Sequence, residues 1–197
     1  MKTLLLLLSV LFFICCGPKE KTTPEATIII VLQPLADFPK AYTLEVEKNL
    51  RKIYTPVKVS KNLPFPEGSW NHNKSRRRAD ALIAYLTNLA GNNELIIGLT
   101  NKDISTTKNG INDWGVFGLG YCPGQSCIAS TYRLKGNTTE KLFKVAIHEL
   151  GHTQGLRHCP RKNCFMRDAK GKDVLQEETE FCQPCQLVLQ NHHWNVK

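Results

Sequence analysis

The chain has 197 residues, 42% hydrophobic and 22% charged, with a formal net charge of +9. That length and balance are those of one globular domain with a real hydrophobic core. The positive charge does not point to nucleic acid: the lysines are scattered, only Arg76-Arg77-Arg78 form a tight run, and basic residues do not interleave with aromatic ones.

Taken in chain order, the first element is a processing signal. Lys2 supplies a positive start, and Leu4 to Ile14 form an apolar run too short to cross a bilayer as a helix. The run ends at Cys15-Cys16-Gly17. A signal that ends in cysteine resembles a bacterial lipoprotein signal, which implies cleavage before Cys16 and lipid on its sulfur. Phe13 stands where that pattern usually has leucine; a plain secretory signal is the alternative. Residues 17–26 (GPKEKTTPEA) are polar and read as a tether, reaching ~30 Å when extended. The expected organisation is a signal over 1–16, a tether over 17–26 and one domain over 27–197. The expected location is outside the cytoplasm, anchored by lipid on the periplasmic side or the cell surface of a bacterium.

The domain then alternates strand and helix. Thr27 to Leu32 reads as a buried parallel strand, Ala41 to Tyr54 as a helix, and Pro56 to Ser60 as a second strand. A loop over 61–73 precedes a helix from Arg76 to Ala90 and a strand from Glu94 to Thr100. Such βαβ units argue for an α/β core around a mostly parallel sheet. Residues 101–113 read as a polar loop. Gly115 to Tyr121 and Ser126 to Tyr132 read as two antiparallel strands joined through Pro123-Gly124. Cys122 and Cys127 flank that turn; in an oxidising compartment they are expected to form a hairpin disulfide, with two free buried thiols as the alternative. Asn137 and Glu140 form a capping box for a long helix with Leu142, Val145, Ala146 and Leu150 on its buried stripe. The last segment, Phe181 to Trp194, is expected to be helical and to pack against the core.

Residues 148–158 read HELGHTQGLRH, the H-E-x-x-H-x-x-G-x-x-H pattern of the metzincin peptidases. His148 and His152, four apart on a helix, lie on one face and can clamp one ion. Glu149 sits beside the first ligand as the general base for a water. Gly155 can take φ > 0, ending the helix and turning the chain so that His158 returns as third ligand. Three protein ligands leave a fourth position open, as catalytic zinc requires.

Four more cysteines follow: Cys159 directly after the third histidine, Cys164, and the pair Cys182 and Cys185, with Met166 among them. Four thiols in two groups suit a closed tetrahedral metal site, and two disulfides are the alternative. The run from Val145 to Cys185 resembles the archaemetzincins. The resemblance implies a zincin-like metzincin fold: a mixed, mostly parallel twisted sheet, an active-site helix, and a small C-terminal helical subdomain stapled by zinc. It also implies a second, structural zinc on the four cysteines, hence two Zn2+ per chain, and Met166 as an apolar floor beneath the catalytic zinc. Met166 and Cys182 are separated by 15 residues, slightly fewer than that pattern has. A peptide or protein substrate is expected, lying antiparallel along an edge strand matched by Gly115 to Tyr121, whose glycines would let its backbone approach closely or else mark a bulged or twisted strand, with aminopeptidase-like activity implied by the family. Tyr132 and Arg167 are candidates for stabilising the oxyanion. The rival reading is a catalytically silent zinc-binding surface protein, against which Glu149 speaks.

Overall fold

The computed structural model describes residues 27–197 apart from Gly171, Asp173, His193, Asn195 and Lys197. The signal, the tether and Cys16 lie outside the described residues. Strand β1 (Ile29–Pro34) leads into helix α1 (Lys40–Ile53) and strand β2 (Val57–Val59). After a short β3 (Arg77–Arg78) come α2 (Ala79–Leu89), β4 (Glu94–Thr100), β5 (Ile104–Lys108), β6 (Ile111–Val116), β7 (Gly118–Gly120) and β8 (Ser126–Ser130). The chain ends through α3 (Thr138–Thr153) and α4 (Gln183–Asn191).

Five strands form the main sheet in the order β2-β1-β4-β8-β7. The first four are parallel and β7 runs antiparallel at the edge. The strands are apolar on both faces because helices cover both. Ile30, Leu32, Leu95, Ile97, Leu99, Cys127 and Ala129 share one core with α1, α3 and α4. Val31, Ile96 and Ile128, one residue out of phase, share the other with Leu82, Ile83 and Leu86 of α2. The period of two along each strand thus sorts one apolar run between two cores. On the helices, Leu44 of α1 and Leu89 of α2 are exposed.

The segment 101–113 is where the architecture departs from expectation. It is not a loop: β5 and β6 form an antiparallel hairpin, which with β3 makes a second, three-stranded sheet. Asn109 and Gly110 at its tip both have positive φ (50° and 78°), the backbone that a two-residue hairpin turn needs. The expected strand 115–121 is correspondingly split. It pairs with β5 up to Val116, and the Phe117 carbonyl then accepts from the Ser130 amide (2.8 Å) as the chain enters the main sheet as β7. The helix expected from Arg76 begins three residues later, because Arg77 and Arg78 are extended and pair with β5.

The arginine run is absorbed by the fold. Arg76 binds Asp103 (2.7 Å), which Arg133 also grips through two hydrogen bonds (2.7 and 2.8 Å). Arg77 stacks its guanidinium over Trp70 (3.6 Å to the ring centre) and Phe65 (4.3 Å). Arg78 pairs with Asp80 (2.9 Å). Each cation therefore ties the small sheet to the rest of the domain.

Candidate metal centre and active site

Helix α3 carries the site and its two ends are set locally. At the start, the Asn137 side chain accepts from the Glu140 amide (3.4 Å) as an N-cap, and its own amide group, rather than the Asn137 backbone, donates to the Glu140 carboxylate (2.9 Å). At the end, the Gly155 amide donates to the His152 carbonyl (2.8 Å) and the Leu156 amide to the Gly151 carbonyl (3.1 Å). That pair of bonds is a Schellman motif, which requires a left-handed residue; Gly155 supplies it at φ +84°. The chain then reverses and presents His158 to the helix face holding His148 and His152.

The three rings converge. One ligand nitrogen from each lies within 4.8 Å of the others, and Nε2 of His148 and His152 are 3.1 Å apart. Tetrahedral zinc with ligands ~2.0–2.1 Å away would put such nitrogens about 3.3 Å apart, so the donor set and spacing fit that ion. The other ring nitrogen is spoken for in two of the three. His148 Nδ1 sits 2.6 Å from the Phe165 carbonyl and His152 Nδ1 2.7 Å from the Leu156 carbonyl. A carbonyl can only accept, so each Nδ1 carries the proton and each Nε2 keeps a lone pair for metal. Burial, with His152 as a neighbour, lowers His148 to about 4, and burial also lowers His152; both rings are neutral ligands near pH 7. His158 is more open, its side chain 49% exposed and its Nδ1 3.9 Å from Asp168.

Glu149 is buried between α3 and β7. Burial raises its carboxyl to about 8, opposed only by a hydrogen bond from the Gly120 backbone. Met166, fully buried, seats its sulfur against Gly151 of α3, at a spot where a β-carbon would collide with it. Gly151 is thus a glycine inside a helix with a packing reason, and a glycine at that position is a signal the sequence carries.

The second cluster lies beside the first. Cys159, Cys164, Cys182 and Cys185 place their sulfurs within 4.8 Å of one another, with separations of 3.6, 3.7 and 3.6 Å for 159–182, 164–185 and 182–185. A disulfide needs ~2.05 Å, and all four are free thiols. Zinc with ~2.3 Å bonds to sulfur would set them about 3.8 Å apart. Burial pushes Cys164 up to about 11 and Cys185 higher still, so a cation is what would make a buried thiolate set favourable.

The two clusters share a segment. The Met166 carbonyl accepts from the Cys159 amide (2.7 Å), the Phe165 carbonyl orients His148, and Cys164 lies in the sulfur cluster. The expected disulfide between Cys122 and Cys127 is not formed: both are free, Cys122 exposed and Cys127 buried. The register of β7 and β8 sets Cys127 opposite Gly120, facing the core under α3, while the Cys122 thiol points to the Leu156 carbonyl (3.4 Å). Of the two oxyanion candidates, Arg167 is engaged elsewhere and Tyr132 is open to solvent. Arg167 pairs with Glu177 (2.9 Å), and Tyr132 stands 62% exposed beyond β8. Besides the ligands and Glu149, the site uses the carbonyls of Phe165 and Leu156 and the backbone of β7, which no side-chain pattern could announce.

A three-histidine cluster with a buried glutamate on the same helix, under the edge strand of an α/β sheet, is the active centre of a zinc-dependent hydrolase of the metzincin type. The comparisons with known proteins agree: the model of peptidase family M54 matches residues 21–191. The archaemetzincin of Methanopyrus kandleri is 32% identical over 152 residues, covering 74% of this chain and 85% of that protein. That of Haloquadratum walsbyi is 29% identical over 177 residues, covering 82% and 99%. Among solved structures, the Methanopyrus kandleri archaemetzincin superposes with a TM-score of 0.72 at 27% identity, covering 87% of this chain and 99% of that one. The Archaeoglobus fulgidus archaemetzincin, complexed with malonate, gives 0.68 at 25% identity, covering 82% and 99%. The chain belongs to peptidase family M54 and is a zinc metallopeptidase.

Proposed function

We propose that the chain hydrolyses peptide bonds at a zinc held by His148, His152 and His158, with Glu149 as general base, and that Cys159, Cys164, Cys182 and Cys185 hold a second, structural zinc. The convergence of three imidazoles on one point beside a buried carboxylate supports this best. The catalytic ion, when bound, supplies Lewis acidity toward the scissile carbonyl and a more acidic water. The ion's charge would favour the ionised form of Glu149, whose carboxylate takes the proton of the attacking water and returns it to the leaving amine. Met166 closes the floor of the site. The open edge of β7 offers backbone groups to an extended substrate lying antiparallel to it, and aminopeptidase-like trimming is the mode the family resemblance favours. The domain runs from residue 27. Lipid on Cys16 and a tether over 17–26 would hold it at a membrane outside the cytoplasm, and metabolic labelling with palmitate, lost in Cys16→Ser, tests the anchor.

The activity is tested by comparing the full chain with Glu149→Ala. Zinc per chain is measured by elemental analysis and cleavage on a mixed peptide library. Two zinc ions in both proteins, with cleavage at least ~10²-fold weaker in the variant, is the expected result. Equal cleavage by both removes Glu149 from the mechanism. Zinc in both with no cleavage by either moves the protein to a binding role.

A further inference from the structure

Strand β7 reads Gly118-Leu119-Gly120, and its glycines were expected to let a substrate backbone approach. What crowds them is the catalytic helix. A β-carbon on Gly118 would stand 2.7 Å from both Cγ and Oε1 of Glu149, and 2.9 Å from the Ile128 carbonyl oxygen. A β-carbon on Gly120 would stand 2.6 Å from the Glu149 backbone oxygen. Real β-carbons do not approach other atoms that closely, so something must give. At Gly120 the obstacle is helix backbone, which cannot move without shifting α3. At Gly118 it is partly strand backbone and partly the Glu149 side chain. Leu119 between them turns the other way and packs in the core under α2.

We propose that Gly118 and Gly120 are positioning residues for catalysis: the bare α-carbon of Gly118 is a shelf for the Glu149 side chain, and that of Gly120 lets the strand lie against the Glu149 backbone. The alternation of the strand puts both glycines on the face toward α3. The β7–β8 register, Gly118 opposite Ala129 and Gly120 opposite Cys127, fixes the height of the shelf against the sheet. The Glu149 carboxyl also accepts a hydrogen bond from the Gly120 backbone, which ties its position to the strand. The inference rests on Glu149 being the general base, and it assigns the glycine pattern to the enzyme's own base rather than to the substrate.

The test is Gly118→Ala in the full chain, with Gly98→Ala as a control. Gly98 is another buried glycine, whose added methyl would meet Ile128 and Leu86 in the core under α2 and nothing of the site. Gly118→Ala is expected to keep wild-type zinc content and KM while kcat falls about 10²-fold, the scale of a misplaced catalytic group. Gly98→Ala is expected to lower Tm and leave kcat unchanged. A Gly118→Ala variant with raised KM and intact kcat would return the glycines to substrate approach and overturn the proposal. Loss of activity only in step with loss of zinc would overturn it equally. A readout free of activity separates this from the peptidase reading. Gly118→Ala should lower Tm more in the wild-type background than in Glu149→Ala, where the side chain it strikes is gone. Equal losses in the two backgrounds sink the shelf even if peptides are cleaved. Unequal losses sustain it even if no peptide is cleaved.

Discussion

Glu149 has its carboxyl in a dry gap between a helix and a strand, and the cost of ionising it there has a measurable sign. Its folded value, about 8, lies above the ordinary 4.5. A metal-free fold therefore keeps a proton that the unfolded chain has released, and stability falls as pH rises from 4.5 to about 8, by ~1.4 kcal/mol per unit. His148 works in the opposite sense: lowered from 6.5 to about 4, it takes stability away as pH falls through that interval. Between pH 6.5 and 8 the glutamate acts without the histidine. Chelated wild-type protein should lose stability across that window in denaturant titrations, and chelated Glu149→Gln should be flat there. A wild-type curve as flat as the variant's would mean that water reaches the carboxylate. The residues of the site were the most legible part of the sequence, because an i, i+4 histidine pair and a turn glycine are local facts. Gly118 and Gly120 were visible but misread, since only the packed fold shows what stands opposite a missing side chain.

At the scale of elements, α3 and the cysteine-bearing segment after it are one device. His148 is oriented by the carbonyl of Phe165, which lies between Cys164 and Met166; the Met166 carbonyl is in turn held by the Cys159 amide. The sulfur cluster thus adjoins the hydrogen-bond partner of His148 as well as His158. Cys185→Ser, on α4 and outside this segment, should weaken zinc binding at the histidine site by ~10–100-fold, the usual cost of disturbing a ligand's partner. Competition with a chromophoric chelator measures it. Unchanged affinity would show that the Phe165 carbonyl keeps its place without the cluster. None of this coupling was readable from spacing, because it runs through main-chain atoms. The helix caps were readable, since Asn137 with Glu140 and Gly155 are side-chain and φ requirements written locally. The β5–β6 hairpin lay between: Asn109-Gly110 is a strong turn signal, overlooked because the flanking residues are polar and half exposed.

For the molecule as a whole, the alternation of apolar strands and amphipathic helices was enough to foretell an α/β core, since two-sided burial leaves its mark on every central strand. The second sheet was not foretold, because what fixes it is long-range: Asp103 between Arg76 and Arg133, and Arg77 between two aromatic rings. The resulting molecule is uneven in what holds it. The sheet and α1–α3 stand on two apolar cores, whereas between Thr153 and Gln183 there is no helix or strand among the described residues, only isolated bridges such as Cys159 with Arg167 and Cys164 with Glu180. Backbone of that kind opens locally at little cost unless something staples it, and four converging thiols are the staple available. Stripping metal with a strong chelator should therefore loosen this region first. Trypsin should then cut at Arg161 or Lys162, both exposed, at least ~10-fold faster than in the zinc-loaded protein, while amides of β1, β4 and β8 stay protected from hydrogen exchange. Cleavage that begins instead in the sheet, or that ignores the chelator, would show that the C-terminal third is held by its buried Phe165, Phe181 and Trp194 alone.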